Sequence, residues 1–185
     1  MNVFILGMKI LISRIYNLIW KLTHKRQNTK FSKKPFTYWE YGQLISSWRR
    51  RENFNINLDL SMFAGKDKVE VVKSVHKWVL KNIKYKKEEK DYWNASHETL
   101  QTEGNDCEDQ GLLIYAILFK LGFSNEEVGV CVISGHTFAI YMFSNDDFLI
   151  LDNGFQSYSP IKASEFSWNK GKPLFGFNRI KQWNF

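Results

Sequence analysis

The sequence predicts an α+β domain in which helices come first and an antiparallel sheet follows. Three observations predict it. Val69, Val72, Val75, Val79 and Ile83 recur at helical spacing. Residues 112–121 form an apolar run long enough for a buried helix. The runs VGVCVIS, HTFAIYMFS and DFLILD are rich in β-branched and aromatic residues, and the turn-like NDD joins the last two. Helices and strands grouped in this way along the chain pack as separate layers rather than alternating around a parallel sheet.

Taken in order, the chain opens on an apolar segment broken by Lys9, Arg14 and Lys21. Lys9, Ser13, Asn17 and Lys21 recur every four residues, so residues 3–24 read as an amphipathic helix with a narrow polar stripe. Two readings stay open for it: packing on the domain or a partner, and lying on an anionic membrane surface. Its charge-free runs fall short of the roughly 20 residues a spanning helix needs. No small-residue cleavage site follows an apolar core, and the sequence by itself favours a cytoplasmic chain. Residues 25–35 are polar, basic and end in Pro35, which reads as a linker. The expected organisation is therefore an N-terminal helix and linker over 1–35, and one domain over 36–185.

Within that domain, Tyr38, Trp39, Tyr41 and Trp48 belong to a helix ending near WRRR, and NFNINLDL is extended or a loop. The helix of KDKVEVVKSVHKWVLKNIKY contains His76 and Trp78, which packing explains better than chemistry. The buried helix that follows starts near Cys107, with Asp106 placed to cap it, and stops at Gly122. Weaker strands are expected in SPIKASEF and LFGFNRIKQWNF.

Composition narrows the function. Apolar residues make up 44% and aromatic residues 16%, which supplies a well-filled core for one domain. The net charge of +7 lies mainly in HKRQNTKFSKK, WRRR and KYKKEEK. No zinc-finger spacing or RNA-binding signature accompanies these runs, so we expect a solvated basic face and no nucleic-acid partner. The two cysteines, Cys107 and Cys131, make no disulfide framework, and the four histidines complete no zinc-binding spacing.

One cysteine stands in a chemically loaded place. A thiol attacks as the thiolate, and its pKa of about 8.5 must be lowered. Cys107 begins a helix, where unpaired N–H groups favour an anion. His136 starts a strand directly after Gly135, a residue that lets another backbone or a substrate approach closely. Asp152 ends the next strand in LILDNG. If residues 136–144 and 147–152 form a hairpin, His136 and Asp152 become neighbours, and the carboxylate can orient the imidazole beside the thiol. Asp106, Glu108 and Asp109 oppose this, because negative charge raises a thiol's pKa. They cap the helix, pair with basic residues, or bind a hard cation through oxygen ligands. Cys131, mid-strand among valines, reads as a packing residue.

The segment DYWNASHETLQTEGNDCEDQGLLIYAILFKLG, with the later histidine and L-D-N, resembles the nucleophile region of bacterial transglutaminase-like cysteine proteinases. Their pattern runs D-Y-W, E-x-L, then G-D-C-E-D opening a helix that ends in L-G. The match covers about residues 68–155. It implies a papain-like fold of the transglutaminase-like form, with the nucleophile helix packed on a C-terminal antiparallel sheet. It implies Cys107 as nucleophile, His136 as base and Asp152 as orienting acid, cleaving an amide of a protein or peptide through a thioester. In that family the triad needs no cofactor, and acidic residues beside the cysteine can take part in calcium binding, which would fall to Asp106 and Glu108; the resemblance also implies Trp93 lining the site or serving the oxyanion, with simple packing as the other reading of Trp93. Acyl transfer to an amine, and an inactive relative that only binds a partner, are the alternatives. The family's work outside the cytoplasm keeps a periplasmic location open. Three positions depart from the pattern: Asn105 replaces a usual glycine, Ser96 a common proline, and Gln110 a common aromatic.

Overall fold

In the computed structural model, residues 38–63, 67–88, 91–102, 105–133, 135–143, 147–154, 158–162 and 175–183 are described. The expected N-terminal helix and linker over 1–35 lie outside the described residues. The chain divides into two compact units, 1–47 and 48–185. Four α-helices are present among the described residues: α1 (Tyr38–Arg51), α2 (Lys68–Asn82), α3 (Ser96–Thr99) and α4 (Cys107–Lys120). A short 3-10 turn at Leu60–Phe63 ends the stretch that read as extended or loop. Six strands follow: β1 (Val128–Ile133), β2 (His136–Met142), β3 (Asp147–Leu151), β4 (Ile161–Lys162), β5 (Phe175–Phe177) and β6 (Gln182–Trp183). Helices therefore precede strands, as the sequence pattern predicts.

The six strands form one sheet in the order β4-β3-β2-β1-β5-β6, with every pairing antiparallel. α4 packs against β1 and β2, and also against α2. This explains its sequence: residues 112–118 are all buried, so no polar stripe is tolerated. At its far end the N–H of Phe123 reaches the Leu118 carbonyl and that of Gly122 the Phe119 carbonyl, both at 3.1 Å. Gly122 adopts φ 92°, the left-handed conformation that closes such a cap. α2 turns Val71, Val72, Val75 and Val79 inward together with His76. Val71 takes the inward place that the spacing gave to Val69, which is half-buried.

α4 and β2 approach unusually closely. A Cβ on Gly111 would lie 3.2 Å from both the carbonyl carbon and Cα of Phe138. Gly111 is one helical turn after Cys107 and on the same face. The missing side chain thus lets the start of α4 settle against the start of β2.

The basic run at the end of α1 is not the solvated face that the charge pattern suggests. Arg49 donates from Nε and Nη2 to the Asn178 carbonyl at 3.0 and 2.5 Å, and from Nη2 to the Lys181 carbonyl at 2.8 Å. Arg51 donates to the Trp93 carbonyl at 2.6 Å and pairs with Glu98. Guanidinium forks suit carbonyl clusters of this kind. They tie the C-terminal strands and the 91–95 loop to one helix end. Among the described residues of the basic runs, Arg50 and the lysines at 84, 86 and 87 are exposed.

Candidate active site

Cys107 is the first residue of α4. Its S–H donates to Glu108 Oε2 at 3.1 Å. The backbone N–H of Thr137 donates to the sulfur, which favours the thiolate. Burial, and then the charge of Glu108, its hydrogen bond and the charge of Asp106, outweigh that donor and push the thiol well above its ordinary range. The structure therefore holds the sulfur protonated and turned toward an acid.

The other two predicted residues meet as the hairpin argument required. β2 and β3 pair from Ala139↔Leu151 to Met142↔Phe148. This register brings Asp152, one residue past β3, back toward the start of β2. His136 Nε2 lies 2.6 Å from Asp152 Oδ1. Asp152 is only 2% exposed, and its Oδ2 accepts the Gly154 N–H at 3.3 Å. Thr137, whose N–H donates to the sulfur, directly follows His136, so the strand that carries His136 begins beside the start of α4. Gly135 contributes differently from expectation. A Cβ there would meet no other part of the protein within 4 Å, so no second backbone approaches it, and its φ of 76° is the left-handed conformation that favours glycine.

The acidic residues divide into two roles. Asp109 is a strut: its carboxylate accepts the Asn94 backbone N–H at 2.8 Å and the Asn94 side chain at 2.7 Å. It fastens the loop carrying Trp93 to α4, and burial still pushes it up to about 7. Asp106 occupies the N-cap position but makes no capping hydrogen bond with its side chain. Its Oδ1 is buried with no partner. Ligand atoms of Asp106, Cys107 and Glu108 lie within 4.8 Å of one another. Burial, then the charge and hydrogen bond of Glu108, then Glu88 and Asp91, push Asp106 up to about 9. Burial raises Glu108 as well. Oxygen donors crowded in this way, one of them unsatisfied, are the donor chemistry of a hard cation.

Trp93 is 2% exposed and stacks on Phe177, with ring centroids 5.6 Å apart and planes 22° apart. Cys131 is buried in the sheet core opposite Phe138. The three departures from the family pattern each carry a specific hydrogen bond. Ser96 donates from its backbone and its hydroxyl to Glu52, at 2.7 and 2.8 Å, which a proline could not do. Asn105 has no positive φ, and its side chain donates to the Thr99 carbonyl at 3.2 Å. Gln110 donates to the Ile83 carbonyl at 2.8 Å and accepts from Asn153 at 3.2 Å.

Two further residues at the site were not legible as functional from sequence. The exposed Tyr85 bridges through its backbone to Asn105, two residues before Cys107. His76, which read as a packing residue, is fully buried and bonds Asp152 through its ring. A histidine on the apolar face of a helix is a weak signal, and nothing in the sequence shows its partner.

Comparison with known proteins agrees with this architecture. The family described as bacterial transglutaminase-like cysteine proteinase BTLCP matches residues 28–182. No curated protein matched the chain. Among solved structures, LapG of Legionella pneumophila treated with EGTA is similar, with 20% identity, a TM-score of 0.52, and 78% of this chain covering 74% of that one. The calcium-bound LapG structure is similar at 20% identity and a TM-score of 0.51, covering 78% and 76% of the two chains. At that identity the likeness concerns the fold, which is papain-like in its transglutaminase-like form. The family match spans most of the chain, and the chain belongs to the bacterial transglutaminase-like cysteine proteinases.

Proposed function

We propose that Cys107, His136 and Asp152 are the nucleophile, base and orienting acid with which this cysteine peptidase hydrolyses a peptide bond. The observation that carries the reading is the 2.6 Å contact of His136 Nε2 with Asp152 Oδ1, at the strand start whose next N–H reaches the Cys107 sulfur. A carboxylate accepts only, so Nε2 carries a proton toward Asp152. The nitrogen that serves the thiol is then Nδ1. It takes the thiol proton, and the sulfur bonds to the scissile carbonyl carbon. The C–N bond breaks, and the imidazolium returns its proton to the leaving amine. Water, deprotonated by the same nitrogen, attacks the thioester and frees the acid and the thiol. Asp152 holds the ring and stabilises its charged form throughout.

Calcium belongs in this proposal. Asp106 and Glu108 would hold it, and it would supply positive charge beside the sulfur, offsetting the carboxylates that now disfavour the thiolate. Cys107 is too soft a ligand for calcium and is left for chemistry.

Replacing Cys107 by alanine should abolish both peptidase activity and fast labelling by iodoacetamide at neutral pH. A rapidly alkylated thiol surviving in that variant would show the nucleophile to lie elsewhere. Product mass spectrometry with an added primary amine separates hydrolysis from acyl transfer.

A further inference from the structure

His76 lies inside α2, among valines, with no exposed surface. Both of its ring nitrogens are engaged at 2.9 Å: Nε2 with the backbone carbonyl of Asp152, and Nδ1 with the hydroxyl of Tyr158. The carbonyl can only accept, so Nε2 must carry the hydrogen. Burial holds the ring below its ordinary pKa and hence neutral, so Nδ1 is an acceptor and Tyr158 is its donor. The chain of hydrogen bonds runs from the Tyr158 hydroxyl, through the ring, to the backbone of Asp152.

That backbone needs holding. Leu151 is the last residue of β3 with a partner on β2, and Asp152 lies one residue beyond it. The ladder therefore stops where positional accuracy begins to matter. Tyr158 is the outer member of the brace. It is half-buried, its ring edge meets His76 with centroids 5.7 Å apart, and Lys73 and Lys77 lie over it at 5.8 and 5.9 Å.

We propose that His76 and Tyr158 are positioning residues that fix Asp152 against His136. The proposal rests on the triad reading above. Neither residue touches the reacting atoms, and both act through the backbone of the orienting acid. A misplacement of about 1 Å caused by a change away from the reacting atoms costs about 100-fold, and smaller shifts cost less.

The test uses the full chain with three substitutions. Tyr158→Phe removes one hydroxyl from a half-exposed ring. His76→Gln keeps an amide donor able to reach the Asp152 carbonyl. His76→Leu removes both bonds. We expect His76→Leu to lower kcat about 10–100-fold with KM nearly unchanged. His76→Gln should recover most of that loss, and Tyr158→Phe should lose several-fold. The alkaline limb of the pH profile of kcat/KM should move to lower pH in His76→Leu and Tyr158→Phe, because a loosened carboxylate stabilises the imidazolium less. In an Asp152→Ala background, Tyr158→Phe and His76→Gln should cost nothing further.

If His76→Leu does not fold, the other two variants decide. Wild-type kcat and an unmoved limb in Tyr158→Phe, with only the melting temperature lowered, overturn the proposal. So does an equal loss in the presence and absence of the Asp152 carboxylate. An Asp152→Ala protein with full activity instead sinks the triad. A slow Asp152→Ala protein beside unaffected brace variants sinks the brace alone.

Discussion

Replacing Gly111 by alanine tests whether the close approach of α4 to β2 is what delivers Cys107 to its partners. The added Cβ would sit 3.2 Å from two backbone carbons of Phe138 and 3.3 Å from the Ala139 nitrogen. Carbon atoms rest comfortably at about 3.6 Å, so α4 must retreat by roughly 0.4 Å. Strand backbone in the middle of a sheet cannot swing aside as a side-chain tip would. Overpacking of this kind costs about 1–3 kcal/mol. Alanine returns about 1 kcal/mol of helix propensity. The net loss should therefore be at most about 2 kcal/mol, and the protein should fold. Activity should suffer more visibly. If 1 Å of misplacement costs about 100-fold, 0.4 Å costs about 6-fold in kcat/KM. The assay pairs peptide hydrolysis with the rate of Cys107 alkylation, and thermal melting serves as the control. A variant with unchanged kinetics and an unchanged or raised melting temperature would refute the reasoning.

Other consequences of the site can be measured in parallel. Asp152→Asn should leave the fold intact and lower kcat by about 10³–10⁴-fold, since an amide cannot stabilise the imidazolium, and circular dichroism with steady-state kinetics checks this. Glu108→Gln should make Cys107 alkylate faster at neutral pH without calcium, because it removes the main charge that raises the thiol; a slower reaction would contradict that assignment. Calcium should accelerate alkylation of the natural protein and EGTA should reverse it, while Asp106→Asn should blunt the response. Calcium-free stability should fall as pH rises. Asp106 and Asp109 hold protons up to about 9 and about 7, whereas the unfolded chain releases them near 4. The folded state thus binds more protons between those values, and the slope of stability against pH is negative there. His76 acts in the opposite sense below about 6.5, because its folded pKa is lowered. Denaturant midpoints at pH 7 and pH 9 should show the higher stability at pH 7.

The sequence made the helices and central strands legible because burial imposes a period. The apolar run of α4 and the three β-branched runs could bury themselves in only one way. The meeting of His136 with Asp152 was legible because a short hairpin brings one strand's start to the next strand's end. α3 was not foreseen: four residues carry no period, and Glu98 stabilises it by accepting the Ala95 N–H at 2.6 Å. Nor could the sequence show that Arg49 and Arg51 bond to backbone carbonyls, since a basic run looks the same whether it meets water or carbonyls. His76 is the clearest case. Its helical position was evident, but its partner Asp152 lies 76 residues away and offers only a backbone carbonyl. A backbone atom leaves no mark in the residue letters.

The placement of the brace has a consequence for how such a protein can be divided. The three groups of the proposed triad lie in one continuous stretch, from the start of α4 to the residue after β3. Their supports lie on either side of it: His76 and Arg51 before, Tyr158 and β5 after. A fragment carrying 107–152 alone would inherit the proposed triad and little of what aligns it. Cutting the chain near residues 89–90 would put α2 on one piece and the reacting groups on the other. Activity would then report reassembly of the two halves, so the fold lends itself to a split enzyme whose output depends on two fragments meeting.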